Sequence, residues 1–364
     1  MTRPEQGTQG LDEWLRPEIR QLQAYEVHAA EGCLKLDAME GPYAWPEPVQ
    51  AEWLAALRTL SVNRYPDPEA RTLKHRLRAF LGLPDSLGLL LGNGSDELIQ
   101  MLALAVAGVG RVLLSPEPSF AMYRIIAAIA GLRYVGVPLL APAFDLDVAA
   151  MLDQVRRHRP ALVTLSYPNN PTGNLFERGA LEAILEQAPG LVLADEAYFN
   201  YCGDSLLAAI EEHPRLLVLR TLSKIGLAGL RIGVLIGRED WLREINKLRL
   251  PYNINTLSQA SAAFILAHPE VLDAQVRTLV TERERLYTAL RRIPRVQVWP
   301  SRANFLLLRV IGRGKSVFAG LKARRVLVKD LDGAHPLLRD CLRVTIGTPN
   351  ENDEFIAAFR DCLA

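Results

Sequence analysis

The stretch Arg220-Thr-Leu-Ser-Lys224-Ile-Gly-Leu-Ala-Gly-Leu-Arg231-Ile-Gly233 decides how this 364-residue chain is read. It sets one lysine just after an apolar, strand-like run, Leu216-Leu-Val-Leu219. One arginine follows seven residues later, inside a Gly/Ala-rich segment. An ammonium in apolar surroundings is costly, so such a lysine loses its charge, pairs, or becomes covalently modified. Imine formation with an aldehyde is the third outcome. A solvated loop lysine is the competing reading, and the rest of the chain has to decide between them.

Two upstream segments bear on that choice. They are Tyr167-Pro-Asn-Asn170-Pro-Thr-Gly173 and Leu191-Val-Leu-Ala-Asp195-Glu-Ala-Tyr198. Each follows or ends a short apolar run (Ala161–Leu165 and Leu191–Ala194), as buried parallel strands do. Asn170, Asp195, Tyr198 and Lys224 therefore fall at carboxyl ends of successive predicted strands, where open α/β sheets place their ligands. Pyridoxal phosphate asks for such a set: a carboxylate against the ring nitrogen, donors for the ring oxygen, a lysine for the imine, and a cationic, amide-rich cradle for the phosphate.

Working outward, Leu87–Leu91 reads as a strand running into Gly92-Asn-Gly94-Ser95-Asp96-Glu97. Ser95 or Asp96 is expected to cap the next helix, whose amino terminus would hold an anion. Arg111–Leu114 is the next strand, with Phe120 beyond it. Strands then alternate with helices as far as Ile232–Ile236, which predicts a mostly parallel, helix-sandwiched sheet of the α/β class. Pro42, Pro46 and Pro48 predict an extended or turning segment before a short helix at Glu52–Arg58. A helical region near Leu257–Arg292, broken at Pro269, precedes a β–α–β remainder that closes on a helix at Glu351–Leu363. The expected organisation is an arm over 1–35 with one amphipathic stretch at Leu11–Leu22, a large cofactor-binding domain over 36–265, and a small C-terminal α/β domain over 266–364.

These motifs, in this order, resemble the fold-type I, class II aminotransferases, and among them the histidinol-phosphate aminotransferase family, from about Arg16 to Asp361. The resemblance implies that Lys224 forms the cofactor imine and carries the proton shift, that Asp195 pairs with the pyridinium, and that Asn170 and Tyr198 bond the ring oxygen. It implies that Ser223 and Arg231 hold the cofactor phosphate together with the loop Gly94, Ser95 and Asp96, and that Phe120 stacks on the ring. Arg343, in Cys-Leu-Arg-Val-Thr-Ile-Gly347, matches the arginine that binds the substrate anion. Lys329-Asp330 stands where the family carries a second arginine. Tyr25, and Glu40 in Leu36-Asp-Ala-Met39-Glu40-Gly41-Pro-Tyr43, match substrate-side positions, with Met39 and Gly41 replacing two family asparagines. Tyr65 matches a residue that reaches the neighbouring subunit's cofactor phosphate, which implies a homodimer. The implied reaction moves an amino group between glutamate and imidazole-acetol phosphate, giving 2-oxoglutarate and histidinol phosphate. An aromatic amino acid aminotransferase, a threonine-phosphate decarboxylase and a non-catalytic cofactor-binding module remain as alternatives.

Composition bounds the rest. A net charge of +1 leaves no nucleic-acid footprint. Four scattered cysteines without CxxC spacing, and six histidines without ligand spacing, argue against a metal site and suit a reducing cytoplasm. No apolar run is long enough for a membrane helix.

Overall fold

A computed structural model describes residues 11–24 and 30–364 of the chain. After a two-residue strand, β1 (Leu34–Lys35), the large sheet is built from β2 (Gly88–Asn93), β3 (Val112–Glu117), β4 (Arg133–Pro138), β5 (Leu162–Ser166), β6 (Leu191–Asp195), β7 (Leu216–Thr221) and β8 (Ile232–Gly237). Its order is β2-β8-β7-β6-β5-β3-β4. β8 is antiparallel to both of its neighbours, while β7, β6, β5, β3 and β4 run parallel.

The sheet is covered on both faces, which explains why its strands read as unbroken apolar runs. Along β7, Leu216 and Val218 join one buried cluster, and Leu217 and Leu219 the other. Helices Arg71–Leu81, Val148–His158 and Arg178–Gln187 contribute Leu77, Val155 and Leu181 to the first. Helices Ser95–Ala105, Met122–Ala130 and Glu239–Asn246 contribute Leu98, Ile126 and Leu242 to the second.

The remainder forms an antiparallel sheet of β9 (Val296–Val298), β10 (Phe305–Val310), β12 (Lys329–Asp330) and β13 (Cys341–Thr345), ordered β12-β13-β10-β9. The short strand β11 (Val326–Leu327) pairs in parallel with β1 instead. Helix Pro349–Leu363 opens on a capping box, Thr348 with Glu351, and packs Phe355 and Phe359 into this domain's core. Leu36 and Met39 are buried in the same core. By its contacts, then, the segment just after the arm belongs with the small domain.

Local expectations failed where proline was over-read. Helix Glu47–Leu57 begins before Pro48, which sits in its first turn, where a missing N–H costs nothing. The stretch Leu11–Leu22 is two short helices, Leu11–Trp14 and Pro17–Gln21, because Arg16 before Pro17 is extended at ψ 137°.

One buried ion pair stitches β6 to β7. Arg220 Nε and Nη2 donate to Glu196 Oε2 at 3.1 and 3.0 Å, and the Ser205 hydroxyl and Leu206 N–H also donate to Glu196. The guanidinium lies 3.6 Å from the Phe199 ring centroid. Removing one partner strands the other charge in the core, so Arg220→Ala should cost about 3–5 kcal/mol of unfolding free energy. Denaturant unfolding of the two proteins measures this, and a loss below ~1 kcal/mol would contradict the pairing.

Candidate active site

The carboxyl edge of the large sheet gathers the predicted residues. β6 ends on Asp195, β7 leads into a tight 3-10 turn (Ser223–Ile225) holding Lys224, and β5 leads to the Asn170 loop. Because β8 runs the opposite way, its start lies at this same edge, and Arg231 immediately precedes it. A single cavity is lined by Lys224, Asp195, Tyr198, Asn170, Phe120, and the anion cradle of Ser95, Asp96, Ser223 and Arg231.

Lys224 Nζ donates to the Ala38 carbonyl at 3.2 Å. Burial, then the Arg343 charge, push its ammonium down to about 8, with Asp96 and Glu40 opposing. Tyr201 donates its hydroxyl to the Lys224 carbonyl at 2.6 Å, fixing the turn. Glycine at position 41 lets the 36–41 segment pass directly over this turn, since a Cβ there would meet Gly226 Cα at 2.7 Å.

Asp195 is buried, and burial pushes its carboxyl up to about 6. Two donors resist that rise: the Tyr123 hydroxyl to Oδ2 at 2.6 Å, and the Ala197 N–H to Oδ1 at 3.1 Å. Asn170 Nδ2 donates to the Tyr198 hydroxyl at 3.0 Å, and that hydroxyl donates to Met39 Sδ at 3.2 Å. Burial raises the Tyr198 hydroxyl above the ordinary phenol range, so it stays protonated. Arg343, buried on β13, donates Nη1 to Asn170 Oδ1 at 2.7 Å and Nη2 to the Asp37 carbonyl at 2.9 Å. Arg343 is thus joined through Asn170 to the Tyr198 hydroxyl.

Arg231 holds the cradle closed. Its carbonyl accepts from Gly94 N at 2.7 Å, and a Cβ on Gly94, which has φ +82°, would strike the Arg231 guanidinium. Arg231 Nη2 lies 3.7 Å from Asp96 Oδ2. The expected helix cap by Ser95 or Asp96 is not formed. The cap position is Gly94, so Ser95 and Asp96 already lie within the first turn, one and two places too late to cap it. Asp96 instead turns one carboxylate oxygen into the cavity wall, where it has no hydrogen-bond partner among the described residues.

Other expectations land elsewhere. Glu40 pairs with Lys35 at 2.7 Å rather than lining the cavity. Lys329 sits directly across from Arg343 in the β12–β13 ladder, so the two side chains share a face. Tyr65 is 80% exposed and stacks on Tyr252, with centroids 4.3 Å apart. Tyr25 lies outside the described residues. Sequence reasoning missed Tyr123 and the sulfur contact of Met39. The only signal for Tyr123 was its place three residues past Phe120, and its partner is 72 residues away.

The residues fit pyridoxal phosphate: a fixed buried carboxylate, an Asn–Tyr donor pair, a lysine of lowered basicity, and an arginine beside a helix amino terminus. The family profile for Aminotransferase class I and II matches residues 32–359. Histidinol-phosphate aminotransferase 2 of Nitrosococcus oceani is 53% identical over 96% of this chain and 97% of its own length. Histidinol-phosphate aminotransferase of Chromobacterium violaceum is 46% identical over 96% of this chain and 98% of its own. The chain belongs to the class I and II aminotransferases, in their histidinol-phosphate branch. The fold agrees. The structure of histidinol-phosphate aminotransferase from Sinorhizobium meliloti in complex with pyridoxal-5'-phosphate superimposes with TM-score 0.84 at 23% identity, covering 95% of this chain and 96% of that one. This is the fold-type I architecture expected of the motifs.

Burial leaves Lys224 with an amine of lowered basicity. Its amine should therefore react with an aldehyde reagent under reducing conditions along a curve centred near pH 8. Solvated lysines follow a curve centred near 10.4, about two units higher. Mass-spectrometric labelling of the cofactor-free chain across pH checks this, and a Lys224 curve that follows the surface lysines would refute it.

Proposed function

We propose that the chain is a pyridoxal-phosphate-dependent transaminase that exchanges an amino group between glutamate and imidazole-acetol phosphate, giving 2-oxoglutarate and histidinol phosphate in histidine biosynthesis. The observation that carries this reading is the 53% identity to a relative of that name over almost the whole of both chains. The buried Lys224–Asp195 site supports it with chemistry.

When bound, the cofactor supplies the carbonyl that takes the amino group and an electron sink for the substrate carbon. Asp195 would face the ring nitrogen and keep it protonated. Asn170 and Tyr198 would hold the ring oxygen. Arg231, Ser223 and the amide groups at Gly94–Asp96 would hold the phosphate against a helix amino terminus. Lys224, with basicity lowered to about 8, takes a proton from the substrate's Cα as amine and returns one as ammonium. Arg343 anchors the substrate anion. Its fork suits the carboxylate of glutamate and the phosphate of the other substrate alike. Lys329 adds a second positive charge on the same face.

Lys224→Ala should abolish turnover while the chain still binds cofactor. Arg343→Ala should lower kcat/KM for both substrates by roughly 100-fold or more, since it also strips Asn170 of a charged donor. Absorbance of the bound cofactor, followed in single half-reactions with histidinol phosphate and separately with phenylalanine, tests the substrate. Fast reaction with phenylalanine and none with histidinol phosphate would replace this reading with an aromatic aminotransferase.

We also propose a cytoplasmic homodimer in which Tyr65 reaches the neighbouring site. Tyr65 is 80% exposed, with Val62 and Leu250 at 72% and 71%, so its ring is free to meet a second copy of the chain. Mixing Tyr65→Ala with Lys224→Ala protein should recover activity that neither has alone, because one hybrid site carries both intact residues. A monomer in sedimentation, or no recovery on mixing, would refute it.

A further inference from the structure

We infer that Tyr123 is a positioning residue for the reaction, holding Asp195 charged and correctly turned by a permanent hydrogen bond to Oδ2. This rests on the reading of Asp195 as the cofactor's carboxylate.

Tyr123 is fully buried in the first turn of helix Met122–Ala130. Phenylalanine would fill nearly the same volume, so the hydroxyl is there for its bond, because a buried phenol without a partner is costly. Its distance to Asp195 Oδ2, 2.6 Å, is that of a hydroxyl donating to a charged carboxylate. Burial and the neighbouring Asp195 charge hold the phenol well above its usual range, so it remains a donor throughout the working pH.

The surroundings of Asp195 make that donor necessary. Burial alone disfavours its charge, and Asp96 and Glu196 add like charge nearby. Glu196 is turned away onto Arg220, and Asp96 toward Arg231. Tyr198 faces the same space as a neutral hydroxyl. Among the described residues, only the Tyr123 hydroxyl and the Ala197 N–H donate to the Asp195 carboxylate. The peptide N–H comes from Asp195's own turn. Tyr123 comes from the helix that follows β3, two strands from β6 in the sheet, and its ring packs edge-on against Phe120 with centroids 5.5 Å apart. It therefore links the predicted ring-stacking residue to the ring-nitrogen residue, and keeps both at one spacing.

The test is the pH dependence of cofactor affinity, measured by absorbance titration of the full-length protein. Losing a donor to the charged form raises the pKa of Asp195. In Tyr123→Phe the affinity should therefore fall away on acidification at a pH about 1–2 units higher than in the parent protein. In half-reactions the same variant should lose kcat along its acid limb with KM little changed. 3-Fluorotyrosine placed at position 123 is a stronger donor of the same shape, and should move the midpoint down; this arm stands even if Tyr123→Phe folds poorly. An unshifted midpoint in both proteins overturns the inference, as does a uniform loss of affinity at every pH. Asp195→Asn separates the two readings: if it binds cofactor and turns over like the parent, the role of Asp195 itself falls. If it is impaired while both Tyr123 replacements behave like the parent, only the role of Tyr123 falls.

Discussion

Everything in this molecule is arranged around the cost of burying Lys224 and Asp195 at one edge of the sheet. Neither can keep its charge there unaided, and the cost is met differently for each. Lys224 is left underpaid: a single neutral carbonyl, from Ala38, receives its Nζ, and Arg343 nearby opposes its charge. Its basicity falls to about 8, a range that suits the proton transfer proposed for it. Asp195 is supported instead, by a phenol and a peptide N–H, which favour its charged form.

That constraint explains the architecture around the site. The carboxyl ends of parallel strands diverge into loops, so several chain segments can deliver a side chain to the same place without crossing. The one antiparallel strand, β8, brings Arg231 to that edge from its amino end. The small domain then closes the site from outside. It contributes Arg343 from β13, and its Thr345 and Asn304 grip the backbone of Met39 through hydrogen bonds of 2.9 and 3.0 Å. Met39 sits at φ 55°, a conformation few side chains adopt, and its sulfur accepts from Tyr198. Segment 36–41 therefore bridges the two sheets: the Met39 backbone is held by Thr345 and Asn304, while Met39 Sδ and the Ala38 carbonyl meet Tyr198 and Lys224.

The network Arg343–Asn170–Tyr198–Met39 ties these parts together. A change in how Arg343 is engaged alters the donor available to Asn170 Oδ1 and hence how firmly Asn170 holds its bond to Tyr198. These residues form one connected set of hydrogen bonds, in surroundings of low dielectric where each bond is strengthened by its neighbours.

The long strands and the alternation that makes the large sheet mostly parallel were legible in the sequence, as was the gathering of Asn170, Asp195, Tyr198 and Lys224 at one edge. Buried strands leave uninterrupted apolar runs, and the reactive residues stand at their ends: Leu191–Ala194 before Asp195, Leu216–Leu219 before Lys224. Less legible were details that depend on a single turn. The start of helix Glu47–Leu57 and the missing side-chain cap at Ser95 differ from expectation by a few residues, because which residue is first in a helix follows from the entering backbone and not from composition. What only the tertiary structure decided is pairing across distance. Tyr123 with Asp195 and Arg343 with Asn170 are set by where β3, β5, β6 and β13 come to rest. A chain specifies locally which residues are buried. Which buried donor meets which buried acceptor is decided only when the strands are packed side by side, since hydrogen bonds are directional and short, and hydrophobic burial is neither.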